Sequence, residues 1–413
     1  MKSPVFFAIP FFILLVAIEA IYSYRKNKKL YRLNDTISNF SLGIGSQIAG
    51  ALSKVLLFGI YIYIYKHFAY FHQPKTWWSF VLCLVLFDFF FYWAHRLSHE
   101  MNFFWGAHVV HHQSEEYNLS VALRQPWFHS LISFFIFLPI PFLGFDPIIF
   151  GLAAGLQTLY QFWIHTRAIG KLPAIVEYFF NTPSHHRVHH AINPKYIDKN
   201  HAGFLMVWDR MFGTFKAEED PEEIVYGITT QFKSWNPVWA NWHYYQEMID
   251  KATQMKTWRD KLHIIYARPG WQPDYLGGFQ HPKEVTTQAF NKYDADTTNL
   301  FKAYGILQFV LTLACSIAYL DHFSTISTFY RWLFATVIVL SIMIIGAIFE
   351  HRRWIAWAEV VRLVLVLVSL NSYYYYWYTH WLTIMEIGSV GVFIISIVWL
   401  VISMYKDSER QIA

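Results

Sequence analysis

Long apolar runs separated by short polar connections dominate the chain, and one long polar stretch interrupts them. The runs cover about Pro4 to Tyr24, Leu42 to Tyr65, Trp77 to Trp93, Trp127 to Phe145, Ile148 to Ile164, Leu300 to Leu320, Trp332 to Phe349, Ile355 to Trp377 and Ile387 to Tyr405. Each approaches the roughly 20 residues that a helix needs to cross a bilayer. The pattern predicts an all-α polytopic membrane protein of about nine transmembrane helices, with Trp127–Phe145 and Ile148–Ile164 forming a hairpin that turns at Asp146-Pro147. Residues 166–297 are polar, rich in Pro, Gly, Asp, Glu and Lys, and contain no spanning run. The expected organisation is N-terminal transmembrane helices over 1–76, a catalytic segment over 77–297 and C-terminal transmembrane helices over 298–413. No internal repeat, low-complexity tract or coiled-coil heptad is present.

Charge orients these runs. Arg25, Lys26, Lys28, Lys29 and Arg32 follow the first run, whereas a signal peptide carries its charges ahead of the apolar region. This order predicts a retained first helix whose C-terminal end is cytoplasmic. Counting crossings from there puts the N-terminus outside and the tail Lys406–Ala413 inside. The loop Glu350-His351-Arg352-Arg353 falls inside by the same count, as the positive-inside rule expects.

Composition agrees with a membrane protein: 55% of residues are hydrophobic, 20% aromatic and 15% charged, against about 25% charged in soluble domains. Cys83 and Cys315 both lie in apolar runs, which excludes a disulfide framework and a cysteine zinc site. The net charge of +5 is scattered over the loops. Without a compact basic region, nucleic acid is excluded as a partner and a membrane surface is expected.

The candidate chemistry lies in histidine. His95 and His99 are four apart, which on a helix stacks them on one face. His108, His111 and His112 have offsets of three and four, and His186, His189 and His190 repeat that spacing. Imidazole suits iron, zinc, copper and nickel. Eight such donors exceed what one ion can use, so two metal ions are expected, held by a cytoplasmic, histidine-rich site. His165 stands at the end of the hairpin on the same side and is expected as a ninth ligand. The repeated spacing selects His186 over His185, although a His185/His189 pair is geometrically open. His129 and His201 are expected to hydrogen-bond near the metals without ligating them.

Two carboxylates are candidates for catalytic or supporting roles. Glu100 follows His99 directly and could orient a ligand imidazole or move a proton, or be an interfacial carboxylate. Asp88 falls inside an apolar run seven residues before His95, on the same helical face. Intramembrane carboxylates are costly and usually functional, so Asp88 is expected to support the metal site; Glu19 is a weaker case.

These boxes, with Asn200-His201-Ala202-Gly203 leading to Trp208-Asp209-Arg210-Met211-Phe212-Gly213-Thr214, resemble the fatty acid hydroxylase and sterol desaturase superfamily of membrane di-iron oxygenases. The resemblance covers roughly residues 80 to 216. Within that superfamily, the His99-Glu100 pair and the hydrophobic C-terminal half are most similar to the alkylglycerol monooxygenases. The superfamily resemblance implies two histidine-ligated, non-haem iron ions that activate dioxygen. The narrower one implies tetrahydrobiopterin as reductant and hydroxylation of the ether-linked carbon of alkylglycerols, releasing a fatty aldehyde and a glycerol derivative. No residue is assigned to the pterin. Without it, an electron-donor protein would be required.

The physical logic suits that chemistry. A lipid substrate must come from the bilayer, whereas metal, dioxygen and reductant need a polar edge, which is where the histidines are expected. Other readings remain: an oxygenase or desaturase of the same superfamily acting on a sterol, carotenoid or fatty acyl chain, a metal transporter, or a haem-binding carrier. The histidines group on one side rather than across the membrane, which disfavours transport.

Overall fold

The computed structural model of the chain describes residues 4–219, 223–285, 290–295, 297–378 and 382–412. Among them every regular element is helical, and β structure is limited to two isolated bridges, Phe180 with Leu205 and Ala191 with Tyr226. The helices are α1 (Pro4–Arg25), α2 (Leu33–His67), α3 (Trp77–Glu100), α4 (Asn102–His112), α5 (His129–Ser133), α6 (Pro139–Phe142), α7 (Pro147–Trp163), α8 (Ala174–Phe179), α9 (Pro183–His189), α10 (Val207–Met211), α11 (Pro237–Gln254), α12 (Trp258–Tyr266), α13 (Asn299–His322), α14 (Thr328–Phe349), α15 (Ile355–Trp377) and α16 (Leu382–Ile412). The chain forms two compact units. One runs to Phe232 and resumes over Asn241–Tyr293; the other comprises Lys233–Ala240 and the chain from Asp294 onward.

Among the described residues seven helices, α1, α2, α3 and α13 to α16, are long and apolar enough to cross a membrane. The protein is an integral membrane protein. Neither arm of the predicted hairpin is among those seven helices. Its first arm is broken into α5, a 3-10 turn over Phe134–Phe137 and α6. Pro139 and Pro141 withhold two backbone N–H groups within three residues, and Gly144, at φ +80°, turns the chain out of the helix. The second arm, α7, has 17 residues, about 26 Å at 1.5 Å per residue, less than the roughly 30 Å hydrocarbon thickness.

The first unit is organised around α3. Thr76 caps it, its Oγ1 accepting from the Ser79 N–H at 3.3 Å, and it packs against α4 and α7. A core of Tyr61, Phe87, Ile149 and Phe150 joins α2, α3 and α7, with Tyr61 stacked on Phe150 at 4.4 Å. α2 starts at Leu33, well before the apolar run expected from Leu42. Its first turns are polar yet buried because they have partners: Asp35 accepts from the Ser114 hydroxyl at 2.8 Å, and the Arg124 guanidinium donates to Ser38 Oγ and Asn39 Oδ1, each at 3.1 Å.

In the second unit α13 packs on α14, α14 on α15 and α15 on α16, and α16 returns to α13. Phe301, Tyr304, Ile344, Ile348 and Leu400 form its core. A buried polar network built on an ion pair within α15 joins three of its helices. Arg362 donates to Glu359 at 2.6 and 2.7 Å and to Gln308 Oε1 at 2.7 Å. Gln308 in turn donates to Ser396 at 2.8 Å, and Tyr304 donates to Glu359.

Candidate metal centre

α3 ends with His95 and His99 one turn apart, and a single residue, Met101, separates it from α4. α4 therefore folds back beside the end of α3 and brings His108, His111 and His112 to it. α9 adds His186, His189 and, at its C-cap, His190, while His165 lies just past the end of α7. All nine are buried.

Two groups result. The side chains of His95, His99, His108, His112 and His189 form one, and those of His111, His165, His186 and His190 form the other. Within each group every residue offers a ring nitrogen within 4.8 Å of the others. The repeated spacing left open which histidines share a group, and the structure interleaves the two copies. On α4 the i, i+4 pair His108/His112 joins the first group and His111 the second. On α9 the pair His186/His190 joins the second and His189 the first. Residues four apart stack on one face of a helix, and the residue at offset three or one turns to another.

Backbone carbonyls set the rings. His95 Nδ1 lies 2.7 Å from the His201 carbonyl oxygen, His111 Nδ1 2.9 Å from that of Arg124, His165 Nδ1 2.7 Å from that of Gln161, and His189 Nδ1 3.0 Å from that of Lys199. A carbonyl oxygen only accepts, so each Nδ1 carries the proton and donates it. Each Nε2 of these neutral rings is then a lone-pair acceptor. Nε2 atoms of the two groups converge on one another: His111 and His165 at 3.2 Å, His165 and His186 at 3.0 Å, His186 and His190 at 3.2 Å, His95 and His108 at 3.0 Å, His108 and His112 at 3.3 Å. Between His111 and His165 no proton is left to share, so two lone pairs face each other. His99 Nε2 and His189 Nε2 are buried with no hydrogen-bond partner among the described residues.

Protonation does not relieve this arrangement. Burial, reinforced by the cost of charging one imidazole beside others, holds His111 down to about 4 and puts His108, His112, His165, His186, His189 and His190 well below the usual imidazole range. A cation does relieve it. Two imidazole nitrogens bound at about 2.0–2.1 Å to one ion are separated by about 3 Å, as these pairs are. The donor set is all nitrogen, with no thiolate, and fits a non-haem iron site.

The surrounding residues hold this shape. Asp88 is fully buried and accepts four hydrogen bonds, from Gln157 Nε2 (2.7 Å), the Phe204 N–H (2.8 Å), the Leu205 N–H (2.9 Å) and Trp208 Nε1 (2.8 Å). Asp209 accepts from the N–H groups of His201 and Ala202, both at 2.8 Å, and from Thr214 Oγ1 at 2.6 Å. Together they fix the loop whose His201 carbonyl receives the His95 proton. Arg124 supplies the carbonyl for His111 and is itself buried, donating to Val110 O at 2.7 Å and Gln113 Oε1 at 2.8 Å.

Other sequence candidates lie apart. Glu100, considered for orienting an imidazole or moving a proton, pairs with Arg96 at 3.0 Å and belongs to neither group. His185 lies 3.3 Å from Thr182 Oγ1 and also stays outside both. His129 Nε2 meets Ser98 Oγ at 3.0 Å with its ring 5.1 Å from His108. His201 acts through its carbonyl, and its own Nδ1 is buried without a partner among the described residues. Sequence reasoning missed the carbonyl partners at Arg124, Lys199 and His201, because any residue can supply a carbonyl. The Gln161 carbonyl, one helical turn before His165, is the only one that spacing signals.

Comparison with known proteins agrees with this centre. The fatty acid hydroxylase family model matches residues 80–214, the span that holds all nine histidines. The alkylglycerol monooxygenase of Homo sapiens is 34% identical over 368 residues, covering 87% of this chain and 81% of that protein. That of Caenorhabditis elegans is 28% identical over 396 residues, covering 88% and 74%. The lathosterol oxidase of Rattus norvegicus is 27% identical over 150 residues, covering 35% and 48%. No solved structure gives a significant match. The protein is an oxidoreductase, a lipid-hydroxylating membrane monooxygenase, and the chain belongs to the alkylglycerol monooxygenase family.

Proposed function

We propose that the chain holds two iron ions and uses dioxygen to hydroxylate the ether-linked carbon of alkylglycerols. The observation that carries the metal assignment is the facing of His111 Nε2 and His165 Nε2 at 3.2 Å, each ring having its proton committed to a carbonyl. One ion would be held by His95, His99, His108, His112 and His189, the other by His111, His165, His186 and His190. Bound iron supplies the dioxygen activation and C–H oxidation that no side chain can perform.

The protein residues perform the other tasks. The carbonyls of His201, Arg124, Gln161 and Lys199 hold the rings and keep Nε2 unprotonated. Asp88 and Asp209 act as positioning residues for the loop between them. The burial of both groups excludes bulk water, which protects a reactive oxidant from side reactions. Overall, the carbon–hydrogen bond becomes a carbon–hydroxyl bond and the second oxygen atom leaves as water, consuming two electrons and two protons. A hydroxylated ether carbon is a hemiacetal, which breaks down to a fatty aldehyde and a glycerol derivative. Tetrahydrobiopterin is the proposed two-electron donor.

We further propose that the histidines and the C-terminus are cytoplasmic and the N-terminus is outside. The parity of the crossings supports this: the hairpin over α5 to α7 adds either two crossings or none, so its broken first arm leaves the sidedness of every later segment unchanged.

Metal analysis of detergent-purified protein, followed by aerobic turnover of an alkylglycerol with and without tetrahydrobiopterin, tests the proposal. Two irons per chain with pterin-dependent aldehyde release is the expected result. Two irons without pterin dependence would overturn the reductant, and an iron-free folded protein would overturn the centre.

A further inference from the structure

α12 presents an apolar face that the described residues leave uncovered. Trp258 is 65% exposed, Leu262 50%, Ile265 39% and Tyr266 57%, while Ile264 on the opposite side is buried. At roughly 100° per residue, these four exposed side chains fall within an arc of about 100°. Arg259 and Lys261, both exposed, border that arc on opposite sides. The helix is firmly placed. Thr257 caps it, accepting from the Asp260 N–H at 3.1 Å, and the His263 ring lies 4.2 Å from that of Trp271.

Its depth is set by Asn102. The Asn102 N–H donates to the Ala267 carbonyl at 2.8 Å, and its Nδ2 donates to the carbonyls of Ile264 at 2.8 Å and Arg268 at 3.3 Å. Asn102 is two residues beyond Glu100, the last residue of the membrane-crossing α3. The C-terminal end of α12 is therefore tied to the level at which α3 leaves the bilayer.

We propose that α12 is an interfacial anchor, lying in the headgroup layer of the leaflet at the Glu100 end of α3. Its Trp258/Leu262/Ile265/Tyr266 face would turn toward the acyl chains, with Arg259, Lys261 and Arg268 against anionic headgroups. Tryptophan and tyrosine concentrate at this depth, and cations bordering an apolar stripe are the pattern of helices that lie on membranes. A second protein copy fits less well, since four side chains of a nine-residue helix are far from the roughly 800 Å² per partner of a stable interface. Asp260 is the acidic group on the helix, and it is engaged by Thr257 and by the Tyr275 hydroxyl, both at 2.7 Å. The tie to Asn102 would make the anchor hold the α3–α4 joint, across which the rings of His99 and His108 lie 5.1 Å apart, at the membrane surface. This inference goes beyond the proposed reaction and does not depend on it.

The test uses the full chain in lipid nanodiscs, with Cys315→Ala, buried Cys83 retained, and Leu262→Cys carrying an environment-sensitive fluorophore. Lys283→Cys, at an exposed position of the same polar segment, serves as the aqueous reference. The label at 262 is expected to be quenched by spin-labelled lipid and to be at least about threefold less accessible to iodide than the label at 283. Equal iodide accessibility at the two positions overturns the proposal. Shielding from both quenchers that vanishes in nanodiscs holding one chain identifies a second copy and also overturns it. Ile265→Cys reads the same face should the 262 variant not fold. Arg259→Glu with Lys261→Glu is expected to weaken lipid quenching in discs containing phosphatidylserine and not in phosphatidylcholine alone; an identical response in both removes the anionic-lipid assignment.

Discussion

Asp88 accepts the indole N–H of Trp208 at 2.8 Å, joining the middle of α3 to the first turn of α10 across the whole histidine segment. Two turns further along α3, His95 donates to the His201 carbonyl. One face of α3 therefore clamps the 200–208 loop at both ends. The first clamp is a carboxylate and the second a candidate ligand, so disturbing the former displaces the latter.

Replacing Asp88 tests this coupling. Asp88→Asn keeps the shape but turns an NH2 group toward donors, leaving buried N–H groups unmatched. A loss of about 2–4 kcal/mol in stability is expected, together with reduced iron content. Differential scanning fluorimetry and metal analysis check it; wild-type melting and wild-type iron would show that Asp88 does not position the loop.

The interleaving of the boxes predicts that neighbouring substitutions deplete different sites. His112→Ala should empty the five-histidine group and His111→Ala the four-histidine group, and either should abolish turnover. Mössbauer spectra of the two iron-57-loaded variants should retain different residual signals. Identical residual signals would contradict the partition.

Stripping metal should unmask the repulsion between facing lone pairs. Protein treated with a chelator should melt at lower temperature and recover on adding ferrous iron. A melting temperature indifferent to iron would argue against both groups as metal sites.

Gly203 is a steric test of the same loop. A Cβ there would lie 1.9 Å from Gln157 Nε2 and 2.7 Å from the Phe91 ring, and Gln157 is one of the donors to Asp88. Gly203→Ala should cost about 1–3 kcal/mol and lower iron content in parallel. Full stability of the variant would show that the loop yields easily.

In the second unit, Arg362→Met leaves Glu359 buried without its cation and should destabilise by about 3–5 kcal/mol. Adding Glu359→Gln should recover much of the loss. Thermal melts of the single and double variants decide whether the two effects are coupled.

The histidines were legible in the sequence because offsets of three and four are meaningful on any helix. Their partition was not, since it depends on how α4 and α9 face each other across segments far apart in sequence. The long spanning helices were legible from their apolar runs, whereas the break in the first arm of the hairpin was not, because hydrophobicity masks Pro139 and Pro141 within that run. The start of α2 was hidden for the opposite reason: Asn34, Asp35, Ser38 and Asn39 look like loop residues and become helical because Ser114 and Arg124 meet several of them. Asp88 was recognised as costly in an apolar run, but its four donors come from distant segments.

The sharing of α9 between the two groups has a consequence for biosynthesis. One group lacks His189 and the other lacks both His186 and His190 until α9 emerges from the ribosome, long after α3 and α4 have been made. Neither proposed iron can be fully enclosed by a nascent chain that stops before α9. On the proposed assignment, metallation would be a late event in the life of the molecule, completed only when α9 meets the histidines of α3 and α4.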